Sequence, residues 1–565
     1  MTNLSWAAYQ ASKESGQDTL PAITALLPLF PDDSKSVGMM RHSMDVIKQA
    51  VMEVNPGQTP VITVDQPLYT ISKQIQWTWP STYVEDYFVI ILGGLHIEMA
   101  GIKVIGDWLE DAGWVEALVQ ARVASPGTAN LFLKASHVTR TRHAHEVTAS
   151  SLYILLTKSY AHYTESLESE SQPESFDDWC GQRIRDVPQF QFWHITLQLE
   201  LLLLTFVKSL RTANLPLYID SLTQLAPWFF SMDHTNYARW VPVHIRDMMS
   251  LSKSHPEIAT EFTNGKFTVH KTKRVFSSMA IDQAHEQNNA AVKSDGGAVG
   301  LTQTPNALRR WMVAGPELVR MTTEFEASME GRKIRMDQDT RHHEQTKSSQ
   351  VIFTQQVKRL VEVIEEMGNP FLEESKDLMR LDTRDIADPN VVSTVQQAEE
   401  IGKKQYKTFV ADRLQERTVP LTEPIKKNKL PLFSRSSPRE KSKTSLQVTS
   451  LKSDCSLFSR LYIASQTRDG DLERFFRHEN QACPPSISQL GKLRLGTKSD
   501  LLVCLESCAE VRGDGPKPDT DVTILDGAVL VNFLKPVAAK TFDDYALKVF
   551  LHTYKDTCKE PVVWI

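Results

Sequence analysis

The sequence has few cysteines, little net charge and no long apolar run, and each scarcity excludes a class of protein. Six cysteines in 565 residues are too few and too irregularly spaced for a disulfide framework, so we expect a reducing, intracellular compartment. The formal net charge of −6 gives no overall attraction to nucleic acid or to anionic membranes. Any nucleic-acid contact would need a local basic surface or bound metal ions.

Membrane and nucleotide-cofactor signatures are also missing. The most apolar stretches, 88–95 and 197–207, are shorter than a bilayer span or broken by charge, and the first residues do not form a secretory signal. We therefore expect no membrane association. No phosphate-cradling loop, dinucleotide fingerprint or serine-hydrolase elbow occurs, so nucleotide-cofactor chemistry is unsupported.

Length and composition predict several folded units. A content of 41% hydrophobic and 23% charged residues is typical of globular proteins, and 565 residues exceed what one core usually organises. The oligomeric state is not indicated. The predicted organisation is a core over residues 20–330 with a helical insertion at about 108–225, a helical extension over 331–417, a disordered linker over 418–456, and a small α/β unit over 457–565.

A candidate ligand position follows the first predicted strand. Apolar residues recur at helical spacing up to Val54, and Asn55-Pro56-Gly57 then stops the helix. Residues 61–64 have strand composition and are followed directly by Asp65, where parallel sheets place ligand groups. A turn aspartate would fit the same position.

A polar helix is predicted more than two hundred residues later. Asp282, His285 and Glu286 would project from one face together with Asn289. Carboxylates are the ligands that Mg²⁺ and Mn²⁺ prefer, and such ions polarise phosphate groups. The alternative is a solvated polar face.

His96 and Glu98 lie beside the end of a second strand candidate. Gly93-Gly94 either interrupts that strand or ends it, in which case His96 opens a helix. In both cases the two side chains would add a ligand and a proton-transfer group near Asp65. A histidine held for structure alone is the alternative.

Two basic clusters are candidates for phosphate contacts. Arg140, Arg142 and His143 form one cluster, and Arg239 lies close to Asp233 in a segment that mixes aromatic and charged residues. Arginine forks suit phosphate, and interleaved aromatics suit single strands. An exposed helix end and an ordinary packing seam are the respective alternatives.

Four phrases carry a family resemblance: Thr63 to Tyr69, Gly93 to Met99, Ala135 to His145, and Ala280 to Gly300. They resemble a largely uncharacterised family of mobile-element-derived proteins that is abundant in invertebrate genomes and distantly similar to ribonuclease H-like transposases. The resemblance covers about residues 20 to 330. It implies an α/β fold, namely a ribonuclease H-like mixed sheet with a large α-helical insertion, and a nuclear rather than cytoplasmic protein that acts on DNA.

The same resemblance assigns roles to residues. Asp65 corresponds to the first catalytic acid and Glu286 to the last, while Gly94 and Leu95 occupy the place of the second. Glu98 or Asp233 would then substitute. The implied ligands of Mg²⁺ or Mn²⁺ are Asp65, Glu286 and Asp282, and His96 or His285 would move protons. The implied activity is DNA cleavage or strand transfer, and the alternative is an inactive remnant that binds nucleic acid or protein.

The end of the chain carries a second resemblance. Residues 522–565, with a predicted strand at 522–525, a helix from Phe542 and a final apolar strand, resemble the opening of a PIN-like nuclease domain. We expect this C-terminal α/β unit to be incomplete.

Overall fold

The computed structural model describes most of the first 434 residues and short stretches beyond them. The described ranges are 5–14, 33–167, 174–290, 342–434, 488–489, 492–493, 523–525, 541–551 and 562–564, together with a few isolated residues. The chain divides into two units, Met1–Pro438 and Arg439–Ile565. The described residues form an α-rich α/β protein, which agrees with the predicted class at this coarse level.

The described part of unit 1 is built mainly of helices. In chain order these are α1 (Trp6–Lys13), α2 (Val37–Val54), α3 (Gln66–Thr78), α4 (Pro80–Tyr83), α5 (Gly94–Leu109), α6 (Trp114–Gln120), α7 (Pro126–Phe132), α8 (Val138–Ser166), α9 (Phe176–Asp186), α10 (Pro188–Arg211), α11 (Leu215–Ser231), α12 (Thr235–Ser254), α13 (Pro256–Thr263), α14 (Ile281–Ala290), α15 (Lys347–Gly368) and α16 (Pro389–Phe409). Its strands are β1 (Val61–Val64), β2 (Val89–Leu92), β3 (Thr268–Val269) and β4 (Met279–Ala280).

Strands β1 and β2 form a parallel pair joined by a crossover through α3. Val61 pairs with Val89 and Val64 with Leu92, so the two strands end together. All four residues of β2 are buried, as their unbroken apolar sequence predicts. Every sheet among the described residues has two strands, so the larger mixed sheet implied by the resemblance does not occur in that part of the chain.

The helical character predicted for residues 108–225 is confirmed by α6 to α11, and aromatic side chains fill the core between them. Trp108 stacks on Phe192 with ring centroids 5.1 Å apart and meets Trp228 edge-on at 6.0 Å. Such ring pairs add to the gain from burying their large apolar area.

Helix α10 is long and apolar enough to cross a bilayer, and 67% of its most apolar window is buried inside the protein. A core helix of a globular protein has the same length and composition, so this helix is weak evidence for a membrane.

The predicted helical extension packs into the core of unit 1. Val357, Leu360 and Ile364 of α15 are buried, as their helical spacing indicates. Helix α16 packs against α11, where Phe409 meets Phe230 with ring centroids 5.4 Å apart. The extension therefore contributes to the same hydrophobic core as the helices before it.

The first part of the predicted disordered linker is ordered instead. Leu432 is fully buried, and Phe433 packs edge-on against Phe192 with centroids 5.4 Å apart. The lysines and prolines of this segment dominate its average composition and hide these anchoring apolar residues. The disorder prediction is wrong for residues 418–434, and residues 435–456 lie outside the described ranges.

The described part of unit 2 contains short strands and one helical segment. Strands β5 (Ser488–Gln489) and β6 (Lys492–Leu493) pair antiparallel, and β7 (Thr523–Leu525) pairs parallel with β8 (Val562–Trp564). Helix α17 (Phe542–Tyr545) continues into a π-helical turn. Strands β7 and β8 and helix α17 match the strands and the helix predicted for residues 522–565. Residues 501–505, whose apolar sequence also predicts a strand, lie outside the described residues.

Gly402 tests the packing of α16 on α11. A methyl group at Gly402 would lie 3.0 Å from the carbonyl carbon of Pro227 and closer still to its oxygen. We expect Gly402→Ala to lower the free energy of unfolding by about 1–3 kcal/mol, measured by urea denaturation. Gly38→Ala in α2 is the matched control, because no described atom lies within 4 Å of the added methyl group. Equal effects in both variants would contradict the close packing.

Candidate functional site

The candidate site lies where β1 and β2 end. Asp65 follows β1 directly and caps α3, its Oδ1 accepting a hydrogen bond from the Leu68 amide at 3.1 Å. The Gly93 amide donates to the carbonyl of Val64 at 2.8 Å, which extends the pairing by one residue. Asp65 and the start of α5 are thereby brought to the same sheet edge.

Asp282 of α14 caps the N-terminus of α5. Its Oδ1 accepts from the Leu95 amide at 3.0 Å, and its Oδ2 accepts from the His96 amide at 3.1 Å. The N-cap residue of α5 is Gly93, which has no side chain to do this. A carboxylate here satisfies otherwise unpaired N–H groups and interacts favourably with the helix dipole.

Gly93 is required by this cap. A methyl group on Gly93 would lie 2.7 Å from Cγ of Asp282, which is inside contact distance. Only glycine therefore lets the carboxylate of Asp282 reach the first turn of α5. Of the two possibilities for Gly93-Gly94, the structure has the one in which the strand ends and His96 lies in a new helix.

The same carboxylate orients His96. Nδ1 of His96 lies 2.9 Å from Oδ2 of Asp282. This hydrogen bond raises the pKa of His96, and the charges of Asp282, Asp65 and Glu286 act in the same direction against partial burial. With Nδ1 donating to Asp282, Nε2 is left as the acceptor, as in carboxylate–histidine pairs at catalytic and metal sites.

The charges of three acids from two distant segments thus act on one imidazole. We call Asp65, His96, Asp282 and Glu286 the edge site. Burial raises the pKa of Tyr237 to about 12, with Asp65 and Asp282 contributing. Within the described ranges, neither Asp65 nor Glu286 pairs with a cationic side chain, and Glu286 is exposed. His285 is exposed on the same helix. The edge site therefore carries negative charge that no cationic side chain in the described ranges balances.

The structure uses Asp282 differently from the predicted metal ligand. Its Oδ1 also accepts from the Gln283 amide at 3.1 Å, so both oxygens have two hydrogen-bond donors each. A carboxylate engaged in this way positions α5 and His96 and has no free oxygen for an ion.

Glu98 does not supply the third acid at the edge site. It is buried and receives two hydrogen bonds from Arg142, each 2.8 Å long. This bidentate pair occupies both carboxylate oxygens, and breaking it would leave an unpaired charge in the interior.

Asp233 is also engaged elsewhere. Its carboxylate accepts from the backbone amides of Asn428 at 2.6 Å and Lys429 at 2.8 Å. Asp233 therefore anchors the segment 418–434.

The predicted phosphate-binding residues do not form one surface. Arg140 is exposed, whereas Arg142 is buried against Glu98. Nε2 of His143 lies 2.7 Å from the side chain of Gln356, and Arg239 donates to the carbonyl of Glu423 at 3.1 Å. The prediction that Arg142 contacts nucleic acid on an exposed surface is wrong, because Glu98 draws it into the core.

A cavity of about 290 Å³ lies beside the edge site and was not predicted. Its lining includes Glu98, Arg142, Arg211, Lys271, Arg274, Gln283, Ser278, His342, His343 and Glu344. Ligand atoms of His342, His343 and Glu344 lie within 4.8 Å of one another, the one such group among the described residues. The consecutive residues His342, His343 and Glu344 were the only local sign of this cavity in the sequence, because its other lining residues come from distant segments.

Beside this cavity, Glu146 is buried without a hydrogen-bond partner for its Oε2 among the described residues. Burial raises the pKa of the Glu146 carboxyl to about 8, and the charge of Glu344 adds to the effect. Arg211 and Arg142 oppose it incompletely. The carboxyl is therefore mostly protonated at neutral pH.

An α-rich α/β unit with an acid-rich site at a parallel strand edge is the class that these features define. Residues 5–177 and 167–479 match a family described as a domain of unknown function (DUF8702). Because these matches span well over half of the chain, the chain belongs to this family. No curated protein and no solved structure shows significant similarity to this chain.

Asp282→Asn tests the orientation of His96. The largest cause of the raised pKa of His96 is its hydrogen bond to Asp282, with the charge of Asp282 adding to it, so the neutral and weaker acceptor in the variant should let that pKa fall. Because the pKa of His96 is higher in the native protein than in the unfolded chain, protonated His96 stabilises the fold. This contribution is complete below the unfolded-state pKa of about 6.5 and is lost as pH rises through the native pKa. NMR titration of labelled histidines measures the shift. An unchanged pKa in Asp282→Asn would contradict the pairing.

Glu146→Gln tests the buried carboxyl. The pKa of this carboxyl is about 4.5 in the unfolded chain and about 8 in the native protein. Between these two pH values the unfolded chain has released the proton while the native protein keeps it, so the free energy of unfolding falls as pH rises. The variant has no such proton. As pH rises through this window, wild type should lose stability while Glu146→Gln does not. The free energy of unfolding of the variant minus that of wild type should therefore increase by a few kcal/mol at most, at about 1.4 kcal/mol per unit of pKa shift. Denaturation at several pH values measures this, and a pH-independent difference would contradict it.

Proposed function

We propose that this protein binds a divalent metal ion at the edge site and cuts or joins DNA. The observation that carries the proposal is that Asp65 and Glu286, more than two hundred residues apart, both act on the His96 imidazole and have no cationic partner in the described ranges. Uncompensated carboxylates at the end of parallel strands suit a hard cation.

The donor set fits Mg²⁺ or Mn²⁺. Asp65 keeps one oxygen outside its capping hydrogen bond, and the Glu286 side chain is exposed and free to rotate inwards. Such rotation is needed, because the ligand atoms of the edge site do not form a group within 4.8 Å of one another. Asp65 and Glu286 would hold the ion, which when bound would polarise a phosphate group.

His96 would accept the proton of the attacking water or hydroxyl. Asp282 fixes Nδ1 as the donor, so Nε2 is the available base, and the raised pKa strengthens it. Asp282 is a positioning residue in this scheme, since it acts through His96 and through the start of α5.

A transposase-like origin with a ribonuclease H-like core is part of the proposal. It is supported by the pattern of one acid directly after a strand and another on a distant helix. Nuclear location and a DNA partner follow from it. The parallel β7 and β8 with a helix between them support a PIN-like origin of the C-terminal unit.

A second candidate is an inactive remnant that binds nucleic acid or a protein partner. The observation that favours it is the engagement of every candidate third acid. Asp282 caps α5, Glu98 pairs with Arg142, and Asp233 holds residues 428 and 429. Two-metal phosphoryl chemistry normally draws on more than two free carboxylates.

The test is DNA cleavage and strand transfer by the purified full-length chain with Mg²⁺ or Mn²⁺. We expect metal-dependent activity that falls by about 100-fold or more in Asp65→Asn and in Glu286→Gln, as for loss of a major transition-state interaction. Asp377→Asn, an exposed aspartate in a connecting segment, is the matched control and should retain activity.

The outcomes separate the two candidates. DNA binding that weakens with salt, without metal-dependent turnover, would favour the inactive remnant. Turnover that is unchanged in both acid variants would overturn the proposed site.

A further inference from the structure

We infer that the cavity beside the edge site, which we call the arginine cavity, binds a phosphate monoester group. The inference does not rest on the proposed function, because none of the four edge-site residues lines this cavity. It rests on the charge, the unpaired donor and the hydroxyl groups that the cavity presents.

The arginine cavity has an excess of positive charge. Its cationic lining residues are Arg142, Arg211, Lys271 and Arg274, and its carboxylates are Glu98 and Glu344. Glu98 is already matched by Arg142. Lys271 donates to the Ala284 carbonyl and the Asn288 side chain and is left out of this balance. Arg211 and Arg274 then face one lining carboxylate, Glu344, which also accepts a hydrogen bond from Ser5.

Arg211 supplies the unpaired donor. Its Nη1 is buried and has no hydrogen-bond partner among the described residues. The guanidinium lies 5.2 Å from the ring centre of Phe276 and 5.7 Å from that of Trp6, and these rings fix its position. A buried donor without a partner costs free energy that an anionic ligand would recover.

The buried acid Glu146 does little to compensate Arg211. Burial raises the pKa of its carboxyl to about 8, so the carboxyl is mostly neutral at about pH 7. Among the described residues, the positive charge of Arg211 is therefore offset only in part, by Glu344 and Glu98.

The rest of the lining suits phosphate oxygens. Hydroxyl and amide groups come from Thr139, Thr272 and Gln283. The hydroxyls of Ser277 and Ser278 also line the cavity but already donate to the Arg274 carbonyl and to Thr268. Arginine forks together with hydroxyl groups are the usual donors to phosphate. A volume of about 290 Å³ is at the small end for ligand sites, which suits a phosphate with a small ester group and excludes a duplex.

A metal ion at His342, His343 and Glu344 is the competing interpretation, and the electrostatics oppose it. Arg211 and Arg274 line the same cavity, and their positive charges would repel a divalent cation. An anion would be attracted by the same field.

Calorimetric titration of the full-length chain tests the inference. The probes are inorganic phosphate, a nucleoside 5′-monophosphate, and one oligonucleotide with and without a 5′-phosphate. We expect phosphate and at least one monoester to bind, and Arg211→Met to weaken this binding about tenfold or more through loss of a charge-assisted hydrogen bond. Preference for the monophosphate or for the phosphorylated oligonucleotide identifies the source of the group.

Two further variants keep the test decisive. Arg274→Met removes an exposed lining residue and should weaken binding even if Arg211→Met does not fold. Arg359→Met, an exposed arginine of α15 outside the cavity, is the matched control and should bind as wild type. Absence of phosphate binding, equal loss in the control, or zinc binding in place of phosphate would each overturn the inference.

Discussion

The geometry of the edge site depends on the carboxylate of Asp282 at the start of α5. One side chain joins two helices whose residues are 187 positions apart in the chain. It satisfies two backbone amides that Gly93 cannot cap, and it fixes the His96 imidazole through Nδ1. Loss of a cap of this kind costs about 0.5–2 kcal/mol. Helix α5 also carries Glu98 into the core. Loss of the Asp282 cap would therefore lower the stability of the fold as well as disturb the edge site.

Whether an acid of this protein is structural or is available to bind a ligand depends on its interaction partners and not on its residue type. Glu98 is committed to Arg142, and Glu200 is committed to His145 in a fully buried pair. Asp233 is committed to two backbone amides. Each of these carboxylates would leave an uncompensated buried or half-buried group if its partner were removed. Asp65 and Glu286 differ, because no described cation balances them, and that difference distinguishes a candidate ligand from a structural acid.

The sequence predicted features governed by local rules and missed those governed by long-range partners. The helix ending at Val54, the strand before Asp65 and the helix carrying Glu286 follow from periodicity and from turn residues. The buried position of Arg142 could not be predicted, because it depends on a carboxylate 44 residues away. The order of residues 418–434 was missed because Leu432 and Phe433 are few among many polar neighbours, although each contacts the core.

The edge site and the arginine cavity share two elements and carry opposite charge. On α5, His96 belongs to the edge site and Glu98 to the cavity, because residues two positions apart on a helix point in nearly opposite directions. On α14, Asp282 serves the edge site while its neighbour Gln283 lines the cavity. Asp65, Asp282 and Glu286 thus lie at the edge site, whereas Arg211 and Arg274 lie at the cavity, where Glu98 is already paired with Arg142. A cation bound at the edge site would offset the negative charge of its acids. It would not reduce the positive charge of the arginines, which attracts an anion to the arginine cavity. Because the Asp282 cap fixes α5 and α14 together, a shift of either helix would reach both sites.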